Sequence, residues 1–294
     1  MYISEADLIL TADGRIYHLN SLPEELAPTV ILVGDPNRVE KVSKHFDKIE
    51  VRQQNREMIT HSGWIGKHHL TVISTGMSTD NIDIVLTELD ALVNVDLKTR
   101  RIKDKLTSLT FIRIGTSGAL QAETEVDSVL LSARAIGFDN LLEYYRASAA
   151  PLDQPVEDAL ADFFAEERLH PYVASADKEL LAHYAPYVDG AGMTATCSGF
   201  YAPQGRRVRL VPRFTGLLDR LRAFRYQNER VTNFEMETSG IYGLSQLMGH
   251  RALSVNVIVA NRAQGTFSSN YAATMDKTIE MVLEHLPEPV PYPQ

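Results

Sequence analysis

The stretch that most limits what this chain can become is Phe111-Ile112-Arg113-Ile114-Gly115-Thr116-Ser117-Gly118-Ala119-Leu120. Residues 109–114 read as a short buried strand with an arginine inside it, and two hydroxyls and two glycines then predict a turn at the strand end. Such a junction gathers backbone and side-chain donors at one point. In α/β sheets, ligands sit outside the carboxyl ends of strands. The chain has 294 residues, 44% of them apolar, enough for a full core. No repeat, low-complexity tract or Pro/Gly/Ser-rich linker divides it, so a single domain over residues 1–294 is expected, with residues 1–29 as an irregular lead-in.

Further strand ends carry similar chemistry. Residues 29–33 form a β-branched run, followed by Gly34, Asp35, Pro36, Asn37 and Arg38 and a helix to about residue 46. Asp35 suits the cap and Pro36 the first helical position. The junction is either an ordinary capped turn or an anion site, because free N–H groups and the helix dipole favour negative charge there. Residues 60–66 look like a hairpin arm and 70–75 like a strand, on which His68 and His69 point opposite ways, against a shared metal. Ile82, Val85, Leu86, Leu89 and Val93 recur at helical spacing. Residues 96–105 form a charged, exposed excursion.

Downstream, 128–134 reads as a strand, 152–168 and 177–184 as helices, and 190–197 as a strand. The loop that follows holds Phe200, Gln204 and Arg206. It is either a polar surface loop with a buried Phe anchor or a pocket for a flat ring, with a stacking face and hydrogen-bonding edges. Residues 232–238 lead into a helix to about 248, with Gly249 as its C-cap. Glu235 and Glu237 at its start either complement the helix dipole or, in the case of Glu237, accept hydrogen bonds from a diol. A strand over 253–260 and a helix over 271–286 close the chain. Alternating strands and helices predict a three-layer α/β/α arrangement with a central mixed, largely parallel sheet.

A net charge of −9 argues against general affinity for nucleic acid, so any anion must be held by locally concentrated arginines. The apolar runs are too short to span a bilayer, the N-terminal residues lack a signal core, and Cys197 is the single cysteine. The expectation is a cytoplasmic protein without membrane contact. The glycines lack dinucleotide or Walker spacing, and no zinc spacing, serine elbow or Cys/His pairing stands out. Glu235 and Glu237 are expected to project to different sides of a helix start, unlike a glycosidase pair. An arginine-rich anion site, a diol-binding carboxylate and a polar-edged ring pocket remain, a set that fits orthophosphate, ribose and a nucleobase.

On these residues the chain resembles the nucleoside phosphorylase family. The segments 34–38, 113–118 and 234–237 are similar to its three signature regions. The loop 200–206 resembles the uracil-reading loop of its uridine phosphorylases. The similarity runs from about residue 17 to 262.

The resemblance implies reversible phosphorolysis of uridine to uracil and ribose 1-phosphate. The alternatives are phosphorolysis of thymidine, deoxyuridine or purine nucleosides, a nucleosidase, or a non-catalytic nucleoside-binding protein. Phosphate is then held by Gly34, Arg38, Arg113 and Thr116, with Arg56 from a neighbouring subunit. Thr116, Met236 and Glu237 hold the ribose, and His18 reaches its 5′-hydroxyl across the subunit interface. Ser117, Gly118, Phe200, Gln204 and Arg206 hold the base, and Arg206, Gln204 and Arg113 carry the chemistry. The lead-in belongs to the interface of a homodimer, the minimal active unit, with a hexamer of dimers as the larger form. No organic cofactor is implied. A structural K⁺ near Glu57 is an expectation weakened by Asn81, which stands where the family has serine. Asn261 and Arg262 form the mouth of the 253–260 strand, and Val259-Ala260-Asn261-Arg262 lacks the aspartate that purine-specific members carry there.

Overall fold

The computed structural model describes residues 2–145, 153–167 and 169–288. Residues 152 and 168, the ends of one expected helix, lie outside them. In chain order the elements are β1 (Thr29–Val33), α1 (Pro36–Ser43), β2 (Lys48–Asn55), β3 (Met58–Ile65), β4 (His68–Ser74), α2 (Thr79–Asn94), β5 (Val95–Asp96), β6 (Arg101–Ile102), β7 (Thr110–Ala119) and β8 (Val129–Gly137). There follow α3 (Gln154–Phe163), β9 (Tyr172–Ser175), α4 (Lys178–Tyr184), β10 (Gly190–Thr196), α5 (Leu217–Ala223), β11 (Arg225–Tyr226), β12 (Glu229–Glu235), α6 (Thr238–Met248), β13 (Arg251–Asn261), β14 (Thr266–Phe267) and α7 (Tyr271–Glu284).

The main sheet runs β11-β12-β10-β8-β13-β7-β1-β4-β3-β2, with β9 on β8 and β14 on β13. Its centre is parallel: β4, β1, β7 and β13 in one block, and β8, β10 and β12 in another. The blocks meet antiparallel at β8 and β13. β1 is buried along its whole length, as expected for a strand covered on both faces. Helix α2 packs on α6 and α1 on α7, while α6 and α7 both pack on β13. A mixed sheet between helical layers, as expected above, is therefore present. The main core includes Ile31, Phe111, Ile112, Leu253 and Tyr242, and a second cluster under α3 and α5 includes Phe164, Phe224 and Phe234.

Two local expectations are corrected. The glycines after Ile114 do not turn the chain, because β7 continues to Ala119. They provide room: a Cβ on Gly115 would lie 2.0 Å from Arg113 Nη1, so the guanidinium folds back over its own strand. Beyond Arg113, β7 leaves β1 but stays on β13, and Gly118 and Ala119 also pair with Phe234 and Asn233 of β12. The strands β7, β13, β8, β10 and β12 thus close on themselves. Likewise, residues 232–235 do not begin a helix. They belong to β12, held between β10 and β7, and α6 starts only at Thr238. Local spacing had not shown these long-range pairings.

Several local signals do hold. Asp35 accepts from Asn37 N at the head of α1, Asp177 caps α4, and Gly249 ends α6 at φ +77°. The 96–105 excursion is an exposed hairpin that also secures the lead-in. Ile3 N donates to Arg100 O, and Arg100 Nη1 donates to Leu8 O (2.9 and 2.8 Å).

Candidate active site

The carboxyl ends of β1, β4, β7, β12 and β13, with the loop after β10, enclose a cavity of about 970 Å³. Gly34, Arg38, Arg113, Thr116, Ser117, Gly118, Phe200, Gln204, Arg206, Met236 and Glu237 all line it. Residues far apart in sequence therefore meet because the parallel strands end together.

The floor is an ion-pair cluster. Arg113 is 4% exposed. Its Nη2 donates to Glu237 Oε2 (2.6 Å) and lies 3.1 Å from Glu235 Oε2, and its Nη1 donates to Asn256 Oδ1 (2.9 Å). Burial opposes its charge, yet the two carboxylates hold its pKa above the ordinary guanidinium value. The expectation that Glu235 and Glu237 diverge is corrected, since both converge on one guanidinium. The cause is the strand-to-helix junction. Glu235, the last residue of β12, accepts from Glu237 N, Thr238 N and Thr196 Oγ1, which folds the chain so that Glu237 returns to the same point.

Glu235 is thereby consumed within the protein. Glu237 spends one oxygen on Arg113 and the other on Ser78 N (2.8 Å), yet it lines the cavity. Burial raises the Glu237 pKa, Arg113 opposes this, and Glu235 adds to it. Gly115→Ala is expected to destabilise the fold by about 1–3 kcal/mol, because the new methyl meets a guanidinium locked by four acceptors. A urea midpoint equal to wild type would show instead that Arg113 moves freely.

Beside this cluster, Arg38 reaches from the first turn of α1 and donates to Ile114 O (3.1 Å). Burial, then the nearby Arg113, pulls its pKa below the ordinary value. Asp35 is turned into its own helix as the cap, from where its charge still favours that of Arg38.

The far wall is aromatic and cationic. The Arg206 guanidinium sits 3.7 Å from the Phe200 ring centroid, and its Nη1 donates to Phe200 O (2.6 Å) and to Gln204 Oε1. Gly205, at φ +66°, makes the tight turn that puts Gln204 and Arg206 on one side. Gln204 is buried and Phe200 half-exposed. Ser117 Oγ is turned away, accepting from Asn233 Nδ2 (2.9 Å).

Arg262, which the sequence marked only as a strand mouth, is a second guanidinium here. It lies 5.6 Å from the Phe234 ring centroid and donates to Gln204 O (3.3 Å). Burial, then Arg262, lowers the Arg206 pKa to about 10, so Arg206 stays charged at neutral pH. The neighbouring Asn261 is fully buried and spent on backbone groups at Gln121, Thr124, Ala263 and Gln264.

His18 and Arg56 do not line the cavity. They share a separate patch. Asn55 Nδ2 donates to the carbonyls of Tyr17 and His18 (3.0 Å each), and the Arg56 guanidinium lies 6.0 Å from the Tyr17 ring centroid. Glu57 and Asn81 line the cavity edge, where Asn81 Nδ2 donates to Glu57 Oε1 (3.3 Å).

Residues 28–287 match the phosphorylase superfamily. The chain belongs to that superfamily. It is 31% identical over 260 residues to the uridine phosphorylase of Thermococcus kodakarensis, covering 87% of this chain and 81% of that protein. It is 29% identical over 269 residues to the uridine phosphorylase of Escherichia coli, covering 90% and 92%. A solved structure of a Trypanosoma brucei nucleoside phosphorylase, described as showing uridine phosphorylase activity, superposes with TM-score 0.85 at 30% identity, covering 95% of this chain and 99% of that one. A Toxoplasma gondii purine nucleoside phosphorylase shares the fold, with TM-score 0.64 at 21% identity. The chain is thus an enzyme of the nucleoside phosphorylase family, a pentosyltransferase acting on small molecules.

Proposed function

We propose that this enzyme is a uridine phosphorylase, converting uridine and orthophosphate reversibly to uracil and ribose 1-phosphate in pyrimidine salvage. The observation that carries the reading is the Gln204–Arg206 edge facing the Arg113–Glu237 pair across one cavity. Phosphate lies against Gly34 N–H, Arg38 and Thr116, with ribose on Glu237 and Met236 and uracil between Phe200, Ser117, Gly118, Gln204 and Arg206. Within one subunit, Arg38 and Arg113 face Glu235 and Glu237, so their charges cancel. Arg56 of a neighbouring subunit supplies the surplus that phosphate needs. This agrees with the position of Arg56 and His18 on a patch outside their own cavity, and it makes the homodimer the minimal active unit.

Arg113 has two tasks in this reading. It fixes Glu237 to receive the ribose hydroxyls, and it adds positive field where phosphate approaches C1′. As the C1′–N1 bond loosens, positive charge grows on the ribose and negative charge on the uracil. Arg206 and Gln204 are aimed at the ring edge that becomes negative, so they stabilise the transition state more than the bound substrate. Bound phosphate below C1′ replaces a bimolecular encounter.

The chemistry needs no organic cofactor. Asn81 Nδ2 donates to Glu57 Oε1 at the place expected for K⁺, so an ion bound there would replace this hydrogen bond. A buried Cys197, and no helix among the described residues long and apolar enough to cross a membrane, suit work in the cytoplasm.

Asn261 favours a pyrimidine over a purine, since its amide is spent on the backbone and offers no acid to the base. The test is a phosphorolysis panel of uridine, thymidine and inosine at equal concentration. Uridine is expected to be cleaved at least about tenfold faster than inosine, consistent with loss of one or two base hydrogen bonds. Faster cleavage of inosine would overturn the pyrimidine assignment.

A further inference from the structure

The inner face of α2 is apolar at Ile82, Val85, Leu86, Leu89 and Leu92, yet it also buries Glu88 at 8% exposure. The Glu88 hydrogen bonds among the described residues all go to the lead-in. Its carboxylate accepts from Leu19 N (2.9 Å) and from His18 N (3.1 and 3.2 Å), and Glu88 Oε1 lies 2.6 Å from His18 Nδ1. Asn55 holds the His18 carbonyl from the other side (3.0 Å), and the neighbouring Leu19 and Ile16 are fully in the core. His18 is therefore fixed at its N–H, its C=O and its ring.

The apolar face of α2 does not itself call for a carboxylate; the N–H groups of His18 and Leu19 call for an acceptor, and the His18 ring takes up the remaining capacity of the group. A carboxylate that already takes backbone N–H groups at both oxygens can only accept, so the ring proton belongs on Nδ1. Nε2 makes no hydrogen bond among the described residues and is left with its lone pair outward, on a side chain 25% exposed.

We infer that Glu88 is a positioning residue. By fixing the tautomer and direction of the His18 ring, it prepares one subunit to receive the ribose 5′-hydroxyl of nucleoside bound in its neighbour. This rests on the uridine phosphorylase reading and adds a residue far from the cavity to it. The carboxylate thus serves the neighbour's cavity and not that of its own subunit.

The experiment has an arm that needs no turnover. In protein labelled with ¹⁵N-histidine, the His18 ring is expected to carry its proton on Nδ1. In Glu88→Gln the amide nitrogen can face Nδ1 as a donor at unchanged volume, and the proton is expected to move to Nε2. A wild-type ring protonated on Nε2 overturns the inference.

The second arm compares kcat/KM for uridine with that for 5′-deoxyuridine. Wild type is expected to prefer uridine, and both His18→Ala and Glu88→Leu should cut that preference by about three- to tenfold, the net worth of one hydrogen bond. The double variant should lose no more than either single one, because both act through one contact. A preference kept in Glu88→Leu but lost in His18→Ala overturns the role of Glu88 alone. No cleavage of uridine by wild type overturns the functional reading and this inference together.

Discussion

Arg113→Met is expected to destabilise the protein by about 3–5 kcal/mol, the cost of leaving buried charge without its partner. Glu235 and Glu237 are 5% and 6% exposed, and Arg113 is the cation that both touch. Without it, two carboxylates face each other in a site that already raises the Glu237 pKa by burial. Urea unfolding should show the loss as a lower midpoint at unchanged slope. Adding Glu235→Gln should recover part of the stability by removing one of the two charges, but turnover should stay low because Glu237 has lost its clamp. A loss below about 1 kcal/mol would place the pair in the range of exposed ion pairs and contradict the burial argument.

Arg206→Ala should lower kcat/KM for uridine by a factor on the order of 10² to 10³, as for removal of one preorganised donor to a developing anion. The fold should tolerate the change, since Arg206 lies on a loop, against the exposed face of Phe200, and its hydrogen bonds go to neutral groups of that loop. Lysine should restore little, because an ammonium cannot reproduce the planar stack on Phe200 together with the bond to Phe200 O. Burial and Arg262 lower the Arg206 pKa, yet Arg206 stays protonated at neutral pH. A change in kcat/KM below threefold in Arg206→Ala would remove the loop from the base site.

Features settled within a turn of chain are legible in the sequence. Asp35 and Asp177 cap helices, and Gly249 ends one, because capping is settled within a turn of chain. Gly34, Arg113 and Arg206 each lie at or after a strand end, which made one shared cavity plausible, and the structure puts all three on it. The features that were not legible depend on distant partners.

Gly115 looked like a turn residue because sequence cannot show a guanidinium lying where its Cβ would be. Glu235 looked like a helix residue because its strand neighbours, β10 and β7, are remote in sequence. Arg262 gained a role only when the end of β13 came against Gln204, and Glu88 only when α2 met the lead-in. In each case a side chain's meaning was set by what packs against it, while its neighbours in sequence gave no sign.

The central claim is transfer of the ribosyl group to phosphate, and ³¹P NMR of the reaction with uridine tests it most directly. The reading predicts a ribose 1-phosphate resonance that grows in step with uracil, one for one, and no uracil when phosphate is left out. Uracil released at the same rate without phosphate, with free ribose as the other product, would contradict it.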